Sequence, residues 1–326
     1  VLLATPLALS AAGMGFASQA LLRPPSNASQ QDVLDALMAP PPAASTKASE
    51  ASRLTTGLPI PGGGDPTGSL RARRLGAPAR GLDPASGSGA ALNLDIRVAL
   101  MKLSRQPTLG GDGAWRVVSR EGQVLRQGLS GGASSAEELL GSLAEVWIES
   151  VDGSPLRADG RGYAGRLRVL RAADGIQVVN HLPLESYVSS VVGGEMPSGW
   201  SLEALRAQAV AARSYAMAHM ARPASEHWHL GDTTRWQNYE GLSSVSAPTR
   251  EATTSTAGVI LSYQGGIVES LYAATQQIVD EAHGNLGASM SQTGAQKLAQ
   301  QGLRFSDILA HYYQGASLAR LQLGAN

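Results

Sequence analysis

The chain has 326 residues, enough for one sizeable core, yet 38 glycines, 17 prolines and only two phenylalanines mean that part of it stays outside that core. Lys plus Arg and Asp plus Glu both number 26, so the net charge is zero; composition offers no broad basic surface and disfavours nucleic acid or another polyanion as partner. The absence of cysteine excludes disulfides and thiolate metal sites and is compatible with an oxidising compartment.

Val1 to Leu22 carry no charge and run from Leu-rich to small residues ending Ser18-Gln19-Ala20, the pattern of an export signal with cleavage near Ala20. At about 1.5 Å per residue the same segment would barely span a bilayer, so an uncleaved membrane anchor is the alternative, which Pro6 and the glycines disfavour. Residues 23–90 are Ala, Pro, Ser and Gly with scattered arginines, including the runs Pro40 to Ala44 and Pro59 to Pro66, and read as a flexible, disordered linker.

Order is expected from residue 91 to residue 326 as a single α+β domain. Leu92 to Leu100 alternates with period two, as does Gly165 to Leu170, and Gly175 to Asn180 completes a hairpin around Ala173-Asp174-Gly175. Trp115 to Val118 and Glu145 to Ser150 read as further strands. Helices near 184–192, 202–221 and 293–313 and strands near 257–273 follow, so strands gather first and helices later.

In the first of these helices Leu184, Tyr187, Val188 and Val191 recur at i, i+3, i+4 and i+7 after Pro183, and Gly193-Gly194 is the expected stop. Glu195 then falls on a constrained connection before Pro197, where a general acid is useful and where a solvated loop acid that starts the next helix is the plainer alternative. The next helix is expected to be capped by Ser201, to carry Glu203 at its positive end, to bury a narrow stripe of Leu202, Leu205, Ala209, Ala212 and Ala216, and to end at Arg222 before Pro223. Gln208, off that stripe, and Arg213 either face a binding cleft or hydrogen-bond nearby backbone, the structural role coming first. Asp232, Thr233, Thr234, Gln237 and Tyr239, with Trp236, form a polar and aromatic block suited to hydroxyl-rich rings, or an Asx-turn followed by a strand.

The run Leu182 to Tyr215, with Glu195-Met196-Pro197 and Ala207-Gln208-Ala209-Val210-Ala211-Ala212-Arg213-Ser214-Tyr215, resembles the stage II sporulation protein D family, the SpoIID/LytB domain. Asp232-Thr233-Thr234 with Gln237 and Tyr239, Ala257 to Gly265, and Met290-Ser291-Gln292 through His311-Tyr312-Tyr313 resemble its later blocks, and the likeness covers roughly Leu92 to Leu321. The resemblance implies a lytic transglycosylase of the periplasm or cell envelope that cuts peptidoglycan glycan strands lacking stem peptides. Glu195 is then the catalytic acid and base, and Gln208, Arg213, Asp232, Thr233, Thr234, Gln237, Tyr239, Ser291 and Gln292 are the substrate-binding candidates. No cofactor is implied. A non-catalytic amidase enhancer or glycan-binding protein, partnered by a cell-wall amidase, is the alternative. An acid in this role must hold its proton until substrate arrives, which requires burial against groups such as Met196, Trp200 or Tyr187.

Two departures from the family pattern matter. Some members bind zinc through two cysteines and a histidine; Gly231 and Trp236 stand at the cysteine positions here, so no metal is expected, even with His227, His229 and Asp232 nearby. The serine-rich run after the family's tyrosine is replaced by Tyr272-Ala273-Ala274-Thr275-Gln276-Gln277, and the insert that follows shrinks to Ile278 through Ser289, with His283 and Asn285 the nearest stand-ins for a family histidine.

Overall fold

The computed structural model describes residues 2–6, 94–263, 266–283 and 288–323. The linker, most of the leader and Asn285 lie outside the described residues. The strands β1 (Leu2–Pro6), β2 (Asp95–Ala99), β3 (Thr108–Gly111), β4 (Trp115–Val118), β5 (Val124–Gly128) and β6 (Ala133–Ser135) precede a short helix α1 (Ala136–Leu140). Next come β7 (Glu145–Ser150), β8 (Leu156–Ala158), β9 (Arg161–Tyr163), β10 (Arg166–Ala172) and β11 (Gly175–Pro183), then helices α2 (Leu184–Glu195) and α3 (Leu202–Ala221). After β12 (Leu230–Gly231) and a 3-10 turn at Gly241–Ser244 come α4 (Ala247–Ser255), β13 (Val259–Tyr263), β14 (Gly266–Ile267), β15 (Leu271–Ala273) and α5 (Gln276–Ile278). A π turn (Val279–His283), β16 (Ser289–Ser291), α6 (Gln292–Gln300), α7 (Phe305–Tyr312) and β17 (Ser317–Leu323) complete the α+β succession.

The main sheet runs β12-β2-β11-β10-β7-β4-β5, antiparallel except where β12 lies parallel to β2. Period two sorts its faces: Ile96, Val98, Val146, Ile148, Leu167 and Val169 are buried, while Arg166, Arg168, Trp147 and His181 alternate with such residues and point the other way. The β10–β11 hairpin turns at Ala173-Asp174 as expected, with Gly175 at φ +129°. Smaller sheets run β6-β3-β8-β9 and β1-β17-β13-β14, and β15 pairs parallel with β16. In the second of these, Leu2–Pro6, within the stretch read as a leader, pairs antiparallel with β17.

α2 leaves β11 directly and packs against β11 and β2. Its glycine pair does not stop it: the helix continues through Gly193 and Gly194 and ends at Glu195, with the Met196 N–H bonded to the Val192 carbonyl. The pair serves close approach instead, as a Cβ on Gly193 would stand 1.9 Å from the Ser244 carbonyl oxygen and one on Gly194 2.3 Å from that of Asn238. α3 is not amphipathic. Ala204, Leu205 and almost every residue from Ala207 to Ala221 are buried, because α2, α4, α6, α7 and β13 all pack on it and alanine lets them come close. Ser201 sits at its start, yet its hydroxyl makes no capping bond; its backbone N–H donates to Gln296 Oε1 at 2.9 Å. The span expected as one helix at 293–313 is two, α6 and α7, broken where Gly302 adopts φ +88°.

Candidate active site

Glu195 is the last residue of α2, half-buried, beside the exposed Pro197-Ser198-Gly199. One carboxylate oxygen accepts the Asn238 backbone N–H at 2.8 Å and the other accepts Gln292 Nε2 at 3.2 Å. The helix supplies the backbone, the 232–240 connection crosses over Gly194, and the first residue of α6 closes the other side. Asn238 Nδ2 also donates to the Gly194 carbonyl at 2.7 Å, so the same residue grips both the helix end and the acid.

Burial pushes the Glu195 carboxyl above the ordinary carboxylate range, against the opposing pull of the Asn238 and Gln292 hydrogen bonds and the Lys102 charge. Lys102 is held close by, donating to Asn238 Oδ1 and Glu240 Oε1, both at 2.6 Å. The phenols of Tyr187, Tyr215 and Tyr272 are raised above their usual value, first by burial and, among the smaller causes, by the charge of Glu195. Gln237 links two of them: its Oε1 accepts Tyr187 O–H at 2.8 Å, and its Nε2 donates to Tyr272 Oη at 2.8 Å and to the Ala212 carbonyl at 3.1 Å.

Of the residues singled out from sequence, Gln292 joins Glu195 directly. Gln237 lies one step behind, bracing the helices. Ser291 caps α6, its hydroxyl accepting the Gly294 N–H at 3.1 Å, and is buried. Arg213 does not face a cleft: it is fully buried and forms a bidentate pair with Glu185, Nε to Oε1 at 2.8 Å and Nη2 to Oε2 at 2.6 Å, while Nη1 donates to the Val259 carbonyl at 3.0 Å. Asp232 is also interior and accepts the Met101 N–H at 2.9 Å, which fixes the connection that carries Lys102. Tyr239 is buried with its hydroxyl donating to Asn180 Oδ1 at 2.6 Å. Thr233 is half-buried and Thr234 exposed. Gln208 is buried on α3, not solvent-facing, and neither of its side-chain polar atoms has a protein partner.

Asn238 and Lys102 were not among the candidates. Asn238 lies inside the polar block, but its working group is a backbone N–H, which side-chain chemistry does not advertise; Lys102 is brought in by folding from the connection after β2.

The residues at the zinc positions do not fit a metal. Trp236 packs directly over Gly231, where a Cβ would meet the indole at 2.7 Å. Both nitrogens of His229 face Arg97 donors at 3.0 Å, and burial, aided by the Arg97 charge, drives that imidazole down to about 3. Among the described residues, no group of three His, Asp or Glu side chains is placed to hold a metal ion.

Comparison with known proteins identifies relatives for part of the chain. The family model described as SpoIID, stage II sporulation protein, matches residues 172–263, which include Glu195. An uncharacterised protein of Brachyspira hyodysenteriae is 36% identical over 130 residues, 40% of this chain and 35% of that protein. The amidase enhancer of Bacillus subtilis is 34% identical over 102 residues, 31% of this chain and 14% of the relative. Stage II sporulation protein D of Bacillus subtilis is 33% identical over 114 residues, 30% of this chain and 33% of the relative. The chain spans about a third or less of the length of these relatives. With matches to that family model and to these relatives, this chain carries a SpoIID/LytB family domain.

Proposed function

We propose that this cell-wall-related domain is a lytic transglycosylase that cuts peptidoglycan glycan strands, preferably those free of stem peptides, with Glu195 as the single acid and base. The observation that carries the reading is the half-buried Glu195 carboxyl, raised above its ordinary range by burial and fixed by Asn238 and Gln292 at the mouth of a helix end. In the first half of the reaction the carboxyl proton passes to the glycosidic oxygen as the bond from C1 to that oxygen breaks. In the second, the sugar's own C6 hydroxyl oxygen bonds to C1, and its proton returns to the Glu195 carboxylate. The ring closes and the enzyme is restored without water or a second carboxylate. On this reading the protein acts outside the cytoplasm, in the periplasm or cell envelope.

A second reading, a non-catalytic amidase enhancer or glycan-binding protein, draws on the relative named amidase enhancer and on the short 278–289 stretch. Mass spectrometry of peptide-free glycan incubated with the purified protein separates the two. Anhydro-ended fragments that disappear with Glu195→Gln support the enzyme; glycan retention with no bond cleavage by wild type supports the binder and overturns the enzyme.

A further inference from the structure

The outer face of the main sheet carries an arginine-rich surface that the reaction does not use. Pairing register places Arg97, His181 and Arg166 side by side across β2, β11 and β10, and Glu149 and Arg116 side by side across β7 and β4, with Arg166 also reaching Glu149. At about 4.8 Å per strand this row crosses some 19 Å of sheet. The next row holds Arg168 opposite Trp147, and Arg120 lies at the end of β4 near Glu145. Five arginines thus meet Glu145, Glu149 and, at the start of β2, Asp95 on this face of a chain whose total charge is zero. The local potential is positive enough that Arg97, Arg166 and Arg168 add to burial in driving the His181 imidazole down to about 3.

Arg168 is held by Glu145 and only 15% exposed, and Arg97 is spent on His229 and the Glu226 carbonyl, whereas Arg116 and Arg166 keep free N–H groups. Arg116 spends Nε and Nη2 on Glu149 Oε2, and Arg166 reaches Glu149 Oε1 through Nη1 alone at 3.3 Å. Arg166 is 52% and Arg116 43% exposed, so their remaining N–H groups face outward. A shallow depression of about 360 Å³ lies between Arg120, Trp147, Arg166 and Arg168, with Glu145 and Glu149 also in its lining.

We propose that this face binds a phosphate-bearing linear polymer that lacks nucleobases. Guanidinium forks match phosphate oxygens, and a row of them across several strands suits a chain with repeated charge better than one isolated anion. Bases are disfavoured because the indole of Trp147 is already covered, with the Arg166 and Arg168 guanidinium carbons 4.7 and 5.8 Å from its centroid and the His181 ring edge-on at 4.6 Å.

The test is fluorescence anisotropy of labelled inorganic polyphosphate with the full chain across a salt series. Wild type binds, with log affinity falling linearly against log salt. Arg166→Gln and Arg116→Gln each weaken binding by about tenfold, on the scale of a lost charge-assisted contact. Glu149→Gln, which removes an opposing charge, tightens it, and that opposite sign cannot come from unfolding. Equal binding to polyglutamate, tighter binding to single-stranded RNA, no binding at low salt, or indifference to all three substitutions each overturns the proposal. Glycan release remains unchanged in these variants, so this outcome is independent of the one that tests Glu195.

Discussion

Gly194 and Asn238 are packed so tightly that any side chain on the glycine would press 2.3 Å from the asparagine's carbonyl oxygen, while the asparagine's N–H holds the acid next door. An alanine at an ordinary helical glycine gains roughly 0.5–1 kcal/mol. Here the obstruction is backbone, which yields little, so Gly194→Ala is expected to cost about 1–3 kcal/mol, as overpacking does. Urea denaturation checks the stability. Glycan release should fall further than the unfolded fraction accounts for, since the shift carries Asn238 away from Glu195.

Replacing Glu195 by Gln should lower glycan release by at least about a hundredfold, the scale of a lost general acid. The same change should stabilise the protein at neutral pH. A carboxyl raised by burial holds its proton more tightly folded than unfolded, so its contribution is fully present below the unfolded value near 4.5 and fades as pH rises through the folded one. The melting temperatures of wild type and variant should therefore separate as pH rises. A constant gap from acid to neutral pH would contradict the assignment.

Lys102 pulls the Glu195 carboxyl downward against burial. Lys102→Met removes that pull, so the acid keeps its proton to higher pH, and the alkaline limb of the kcat/KM profile should move upward. The profile is the readout because a purely structural lysine would scale the curve without sliding it.

Arg213 is enclosed entirely and satisfied by Glu185 and backbone carbonyls from two other elements. Removing one partner of such a pair strands the other charge, so Glu185→Gln or Arg213→Met should cost about 3–5 kcal/mol in chemical denaturation. The catalytic pH profile of whatever protein remains folded should keep its shape.

Much of this architecture is legible from pattern. Alternation in Gly165 to Asn180 gives the hairpin, and the alanine-rich run before Pro223 gives the length of α3. The order of strands and helices gives the α+β class. What escapes is set by neighbours far away in sequence. Gly193-Gly194 looks like a helix stop because glycine's freedom is visible in sequence, whereas the carbonyls of Ser244 and Asn238 that require it are not. Gln208, off the apolar stripe, has the choice of a cleft or a backbone hydrogen bond in sequence, yet it is buried on a helix covered on every side and its side-chain polar atoms have no protein partner. For Arg213 the structural role, placed first in sequence, is the one found, though its partner Glu185 is not legible there; Asp232 looks like a ligand-binding group because its internal partners are backbone N–H groups. The neutral composition hides the arginine face for a related reason: charge is counted along the chain, and sheet register decides which charges share a surface.

The indole of Trp236 lying over Gly231 fills the corner where the family resemblance implies zinc-binding cysteines in some members. That corner therefore forms from the polypeptide alone. Refolding from denaturant should run at the same rate in chelator as in zinc-supplemented buffer, and the domain should keep its structure wherever scarce cations are contested.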